Sequence, residues 1–350
     1  MKQLFFLLMF VSVLSLIACD DTVDVGTVIE SIEGRAALLG VPESVPPEPP
    51  PAVVHRTLPP DVLAAMKYNS ERLAIPRQLK RVLEYTGTNP YQLQAKQGLL
   101  EKGVTDLEGF HAWQQAFYVR YIDAGGVAIV GPDTVADRYF LLAREAILVM
   151  TAKRPELRNQ VLSKHRKFYM VLVNDYLEYN DIPEKLTPGF INSNDFRLPY
   201  CNGGSGPNAI SRYGYCWAPV RHAPVVAAIR TVVHEFAHAI EITKWGLDPT
   251  FKEQAEQAWK RSKELGTWEG TDLNRVSYFE YWAEAVELWF FDIGTCNETS
   301  TLGKALFQTY DDLFQRDPLL FELLDEWFPR VSLVRPGDER LQPVTCRFLQ

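Results

Sequence analysis

Basic charge is in short supply in this chain. Lys and Arg number 36 against 44 Asp and Glu, a formal net charge of −8. A pI near 5.4 leaves no basic face on which nucleic acid could be held nonspecifically. Histidine is scarcer still, with six in 350 residues. No glycine-rich phosphate loop of the right form occurs: Gly203, Gly204 and Gly206 lack a strand-to-helix junction and read as a flexible loop. The five cysteines include no C-x2-C pair, which disfavours a metal site built on thiolates. No internal repeat is visible, and beyond the N-terminus no apolar run is long enough to cross a bilayer. What is plentiful is core material, with 47% hydrophobic and 12% aromatic residues, enough for a large buried interior.

The first residues have their own pattern. Lys2 precedes an apolar stretch of about fifteen residues, from Leu4 to Ala18, short for a membrane span and suited to a signal-peptide core. Leu16-Ile17-Ala18-Cys19 resembles the bacterial lipobox, in which the signal is cut before a cysteine that then carries lipid. The alternative is an ordinary signal peptide with an incidental cysteine. Asp20 behind it resembles the inner-membrane retention signal of enteric bacteria. The resemblance implies a bacterial lipoprotein anchored on the non-cytoplasmic side of a membrane, inner or outer. Residues 1–18 are then the signal peptide. Residues 19–60, acidic and then proline-dense through Val45-Pro46-Pro47-Glu48-Pro49-Pro50-Pro51, are a tether. Residues 61–350 form the folded domain, in one or two lobes, with a catalytic core at about 165–300. The four cysteines left, Cys201, Cys216, Cys296 and Cys346, suggest two disulfides in an exported protein. Three connectivities are open; Cys201–Cys216 would close the glycine-rich loop, and Cys296–Cys346 would pin the tail.

The most informative residues are His234-Glu235-Phe236-Ala237-His238. Two histidines at i, i+4 share a helical face, close enough for both imidazoles to grip one metal ion. Glu235 projects about a quarter-turn away, where it reaches a water rather than the metal. This H-E-x-x-H spacing is that of zinc hydrolases. Pro224 is placed to start the helix, and Gly246 with Pro249 to end it. The intervening residues are apolar nearly all round, so two histidines and a carboxylate there need a partner that satisfies them. Hydrogen-bonded core histidines are the bland alternative.

A third ligand is sought about 42 residues beyond His238, where Glu280, Glu284 and Glu287 share one face of an aromatic-rich helix. Alone, that face also reads as a solvated stripe with Ser277 and Glu280 as a capping box. Combined with the first motif it has a specific use. His-Glu-Phe-Ala-His paired with Glu280-Tyr281-Trp282-Ala283-Glu284 resembles the gluzincin metallopeptidases, and more narrowly the branch related to anthrax lethal factor. The close likeness covers the two helices and their link, about a fifth of the chain. It implies one zinc ion on His234, His238 and Glu280, Glu235 as catalytic base, and Glu284 as the carboxylate that accepts a ligating histidine's N–H. The chain departs from that branch at Leu273, where the family has an oxyanion-assisting tyrosine. Tyr278, Tyr281, Arg275, Tyr213 and Tyr215 are then the possible oxyanion donors. His55, His111, His165 and His222 stand singly; His222, just before the zinc helix, is near enough to touch the cleft, but a surface or capping role is favoured for it.

The expected fold is α+β: a mainly helical, zincin-like catalytic domain with a small sheet over the zinc helix. Helices are expected over Thr105–Ile122, stopped by Ala124-Gly125-Gly126, and over Thr134–Met150. Strands are expected at Val127–Val130 and Phe168–Val173, and two helices between Leu302 and Phe328. In zincins the sheet's edge strand pairs with extended substrate. The expected activity is peptide-bond hydrolysis on a peptide or protein substrate, with no nucleic-acid partner. The alternatives are a zinc amidase acting on cell-wall peptides and a non-catalytic, zinc-containing surface lipoprotein.

Overall fold

Val127-Ala128-Ile129-Val130 and Tyr169-Met170-Val171-Leu172-Val173 are apolar without alternation, the pattern of strands covered on both faces. In the computed structural model they are the inner strands of a four-stranded sheet. The structure describes residues 53–72, 75–158, 169–174, 181–186, 215–219, 225–244, 250–268, 277–292 and 309–333. The strands are β1 (Arg120–Ala124), β2 (Val127–Gly131), β3 (Tyr169–Val173) and β4 (Tyr215–Pro219), in that spatial order. β1 and β2 form an antiparallel hairpin, whereas β3 pairs parallel with both β2 and β4.

The hairpin corrects one expectation. A helix reaching Ile122 is not formed; the helix ends at Phe117, and Arg120–Ala124 pair with β2 instead. Ala124-Gly125-Gly126 is a hairpin turn rather than a helix stop. Gly125 and Gly126 have φ of 66° and 102°, values that only glycine adopts without strain, and Asp123 accepts both of their N–H groups at 2.9 Å. β4 was not expected from the sequence, and β3 is an inner strand, so β1 and β4 are the edges.

Helices make up most of the rest. They are α1 (Pro60–Arg72), α2 (Ile75–Leu83), α3 (Pro90–Glu101), α4 (Leu107–Phe117) and α5 (Asp137–Met150). Then follow α6 (Val225–Lys244), α7 (Phe251–Glu264), α8 (Tyr278–Glu287), α9 (Tyr310–Arg316) and α10 (Pro318–Trp327). α8 runs on into a π turn, Leu288–Asp292. Pro318 opens α10, the second of the two helices expected between Leu302 and Phe328, with Asp317 as its N-cap. The chain is thus mainly helical with a small sheet, an α+β arrangement.

The sheet sorts its side chains by parity. Ile122, Ile129, Met170 and Leu172 join the largest core cluster with α5, α6 and α8. Ala128, Val130, Tyr169, Val171 and Val173 join a second cluster with Val62 and Met66 of α1. α6 packs against β4, α5 and α8, so it lies between the sheet and α8. Two buried carboxylates fasten this frame. Glu184 accepts from Gln114 Nε2 at 2.8 Å, Tyr118 Oη at 2.6 Å and Tyr169 Oη at 2.7 Å, tying α4 to β3. Asp317 accepts from Trp268 Nε1 at 2.7 Å and Tyr281 Oη at 2.6 Å, tying α8 to the start of α10.

The folded body begins before residue 61. His55 and Tyr121 exchange backbone hydrogen bonds of 2.8 and 3.0 Å, and Arg56 pairs with Asp133 at 2.9 Å. His55 thereby covers part of the β1 edge, which otherwise offers unpaired backbone groups. Among the described residues no helix is long and apolar enough to cross a membrane. Cys19, Cys201, Cys296 and Cys346, and with them the predicted lipid site and disulfides, lie outside the described residues. For Cys216 the structure describes backbone only, in β4.

Candidate metal centre

α6 is buried along almost its whole circumference: Ile229, Val232, Val233, Phe236, Ala237 and Ile240 are each no more than 1% exposed. One stripe breaks the pattern. Arg230, His234, His238 and Glu241 recur at i, i+4, i+8 and i+11, so they stack along a single face. α8 presents a matching stripe of Glu280, Glu284 and Glu287. Trp282 locks the two helices together by donating its indole N–H to the Ala237 carbonyl at 3.0 Å, within the H-E-x-x-H turn itself.

The predicted ligands meet. Glu280 Oε2 lies 3.3 Å from His234 Nε2 and 3.8 Å from His238 Nε2. One donor atom from each of the three residues falls within 4.8 Å of the others. The imidazoles sit nearly edge-on, 4.9 Å between centroids. Ligands about 2.1 Å from a tetrahedral zinc are about 3.4 Å apart, so this donor set fits such an ion with little rearrangement. Ser277 is the N-cap residue of α8 but makes no side-chain cap bond, so the alternative reading of Ser277 and Glu280 as a capping box does not hold. Glu280 is turned to the histidines instead. With 35% of its side chain exposed, against 13% and 11% for His234 and His238, it marks the side open to solvent.

The outer contacts differ from expectation. The carboxylate at His234 Nδ1 is that of Glu287, at 2.8 Å, not that of Glu284, whose nearest oxygen is 4.0 Å away. Glu287 also accepts from Arg230 Nε at 3.2 Å. His238 Nδ1 has Glu241 at 3.8 Å, from the same helix. Sequence reasoning missed Arg230, Glu241 and Glu287 in these places. The available signal was that Arg230 and Glu241 are charges on the histidine stripe of an otherwise apolar helix.

The site carries an excess of acidic groups: five carboxylates, of Glu235, Glu241, Glu280, Glu284 and Glu287, stand beside two imidazoles and one guanidinium. Protons on the imidazoles and carboxyls respond to that excess. Burial pulls the His234 pKa down, but its contacts with Glu280 and Glu287 and the charge of Glu235 lift it well above its ordinary 6.5. His238 responds in the same way, burial opposed by Glu241 and Glu280, and is carried up to about 9. Glu280 is held well below the carboxylate range, since the two histidines outweigh its burial. Glu235, only 2% exposed, is pushed up to about 7 by burial, with the histidines offsetting part of the rise.

Two of the five possible oxyanion donors are described in full. The Tyr281 hydroxyl is committed to Asp317 inside the core, which removes it from that role. The Tyr278 hydroxyl is also buried and, among the described residues, has no hydrogen-bond partner; burial, then the charges of Glu241 and Glu256, hold its pKa well above 10. For Tyr215 only the backbone, paired with Tyr169, is described. Tyr213 and Arg275 lie outside the described residues, as does Leu273.

No protein-family model, curated protein or solved structure matches this chain. The reading of the centre therefore rests on its own geometry and chemistry.

Proposed function

We propose that the chain is a zinc-dependent peptidase of zincin-like architecture, exported and held at the bacterial envelope by lipid on Cys19. The observation that carries this reading is the convergence of His234, His238 and Glu280 from two helices, with Glu235 buried beside them. Zinc, when bound by these three residues, supplies a Lewis acid and a water whose pKa is brought towards neutrality. Glu235 accepts the proton of the attacking water as the new C–O bond forms, and passes it to the amine nitrogen as the C–N bond breaks. Its pKa near 7 in the metal-free chain suits a group that must both take and give that proton near neutral pH. A structural zinc site has no need of such a base. The outer edge of β4, beside α6, supports the peptide part of the reading, because an extended chain can hydrogen-bond along an edge strand.

The test is metal content together with peptide hydrolysis. Purified protein is expected to carry zinc and to show chelator-reversible cleavage. Glu235→Gln is expected to keep the metal while turnover falls roughly 10²- to 10⁴-fold. His234→Ala is expected to lose both. A metal-free wild type, or a His234→Ala variant cleaving peptides at the wild-type rate, sinks the proposal.

A further inference from the structure

His234 is engaged at both ring nitrogens: Nε2 faces Glu280 at 3.3 Å and Nδ1 faces Glu287 at 2.8 Å. A neutral imidazole has a single N–H, and a carboxylate at hydrogen-bond distance from Nδ1 takes it, leaving the Nε2 lone pair to a metal. Glu287 does not stand alone. Its second oxygen accepts from Arg230 Nε at 3.2 Å, and the Arg230 guanidinium lies over the Phe291 ring, 5.2 Å from the centroid. Phe291 belongs to the π turn that begins directly after Glu287. The side chains of Arg230 and Glu287 are only 10% and 13% exposed, so bulk water screens this ion pair little.

We infer that Glu287, anchored by Arg230, is the positioning residue that fixes His234 as an Nε2 ligand, and that Glu284 is not. This rests on the metal-centre reading given above. Glu284, at 4.0 Å from Nδ1, is beyond hydrogen-bond reach. A carboxylate on a free side chain could swing among rotamers. Glu287 is held by an arginine one turn before the ligand on α6, so both ends of the Nδ1 contact are set by the same helix pair. His238 Nδ1 has Glu241 at 3.8 Å, a longer contact than that of His234 with Glu287.

The experiment uses the full chain and two readouts: zinc affinity by competition with a chromophoric chelator, and the visible spectrum of the Co(II)-loaded protein. Wild type is measured first; if it takes up no zinc, the metal centre itself falls and this inference with it. Given zinc uptake, Glu287→Ala is expected to weaken binding roughly 10- to 100-fold and to alter the Co(II) bands. Arg230→Met should move both readouts in the same direction, and Arg230→Lys should recover part of the loss. Glu284→Ala should cost less affinity than Glu287→Ala. Should Glu287→Ala fail to fold, near-isosteric Glu287→Gln, checked by circular dichroism, carries the same comparison against Glu284→Gln. Wild-type affinity and an unchanged Co(II) spectrum in the Glu287 variants, or a larger loss at Glu284, overturns the inference.

Discussion

Glu184 and Glu280 are both carboxylates set among partners, and they are set in opposite ways. Glu184, 5% exposed, receives three hydrogen bonds from neutral donors that do not titrate near pH 7: two phenols and an amide. Every oxygen is satisfied within the fold, and nothing further is needed there. Glu280 sits among groups that trade protons, two imidazoles with raised pKa values and a neighbouring carboxyl near 7. A carboxylate that serves the fold is saturated by fixed donors; one proposed to serve a metal stands among groups whose protons an ion could displace. Burial alone does not separate the two, but the chemistry of the donors does.

That contrast breaks most visibly in a crossed pair of variants. Glu280→Ala is expected to cut zinc affinity by more than the roughly 100-fold that supporting carboxylates are worth, since it removes a ligand. Its contacts with the two histidines also lend the metal-free chain some stability, so Tm in chelator should fall modestly near neutral pH. Glu184→Ala is expected to act on stability alone. It removes the acceptor that three buried donors share, costs about 3 kcal/mol, and lowers Tm by roughly 5–10 °C while leaving zinc affinity near wild type. Calorimetry and chelator competition on the two proteins read both quantities. A shared loss of stability and affinity in both would erase the distinction.

The same contrast marks what could be read from residues alone. β2 and β3 were legible because a continuous apolar run suits a strand covered on both faces. β1 was not, because it follows α4 closely and Gly125-Gly126 ends a helix as readily as it turns a hairpin. β4 was not, because Tyr215-Cys216-Trp217-Ala218-Pro219 is short, follows a glycine-rich loop and closes on a proline. In the site, helical periodicity put His234 and His238 on one face and Glu280, Glu284 and Glu287 on another, and the resemblance to gluzincins joined Glu280 to the histidines. Periodicity could not say whether Glu284 or Glu287 reaches Nδ1. That depends on the axial register of α8 against α6, a tertiary quantity set in part by Trp282. Glu184 carried no signal, as a charged residue in a short turn whose three donors come from distant elements.

A second way to sharpen the comparison is pH. His238 titrates at about 9 in the folded, metal-free chain against an ordinary 6.5. A raised folded-state value means stability that is fully present below pH 6.5 and lost as pH climbs through 9. Glu235, raised to about 7 from 4.5, contributes a loss of the same sign over its own range. The groups facing these two are Arg230, His234, Glu241, Glu280 and Glu287; Glu280, held low, acts only at acid pH. In chelator, Tm should therefore fall between pH 6.5 and 9, while apparent zinc affinity rises over the same interval as protons cease to compete. A flat Tm across that interval in Glu280→Ala, beside a sloping wild type, would tie the slope to this cluster. A slope equally steep in His238→Ala would show that it arises elsewhere.

The smallest effect tests the register. Trp282 donates to the Ala237 carbonyl while its ring packs against Phe251 and Phe328, with centroids at 5.0 and 5.6 Å. Trp282→Phe keeps an aromatic ring in that pocket and deletes the N–H. One hydrogen bond inside a core is worth about 1 kcal/mol, so Tm should drop by about 2–4 °C. Ala237 lies between the two histidines, so loss of the bond also frees α8 to slide along α6, where Glu280 has distances of 3.3 and 3.8 Å to maintain. Zinc affinity is then expected to weaken several-fold, less than for any residue that touches a histidine, and the Co(II) spectrum should broaden rather than shift. If Tm falls and zinc affinity does not move, the register is held by packing alone, and the indole belongs with Glu184 on the structural side of the comparison.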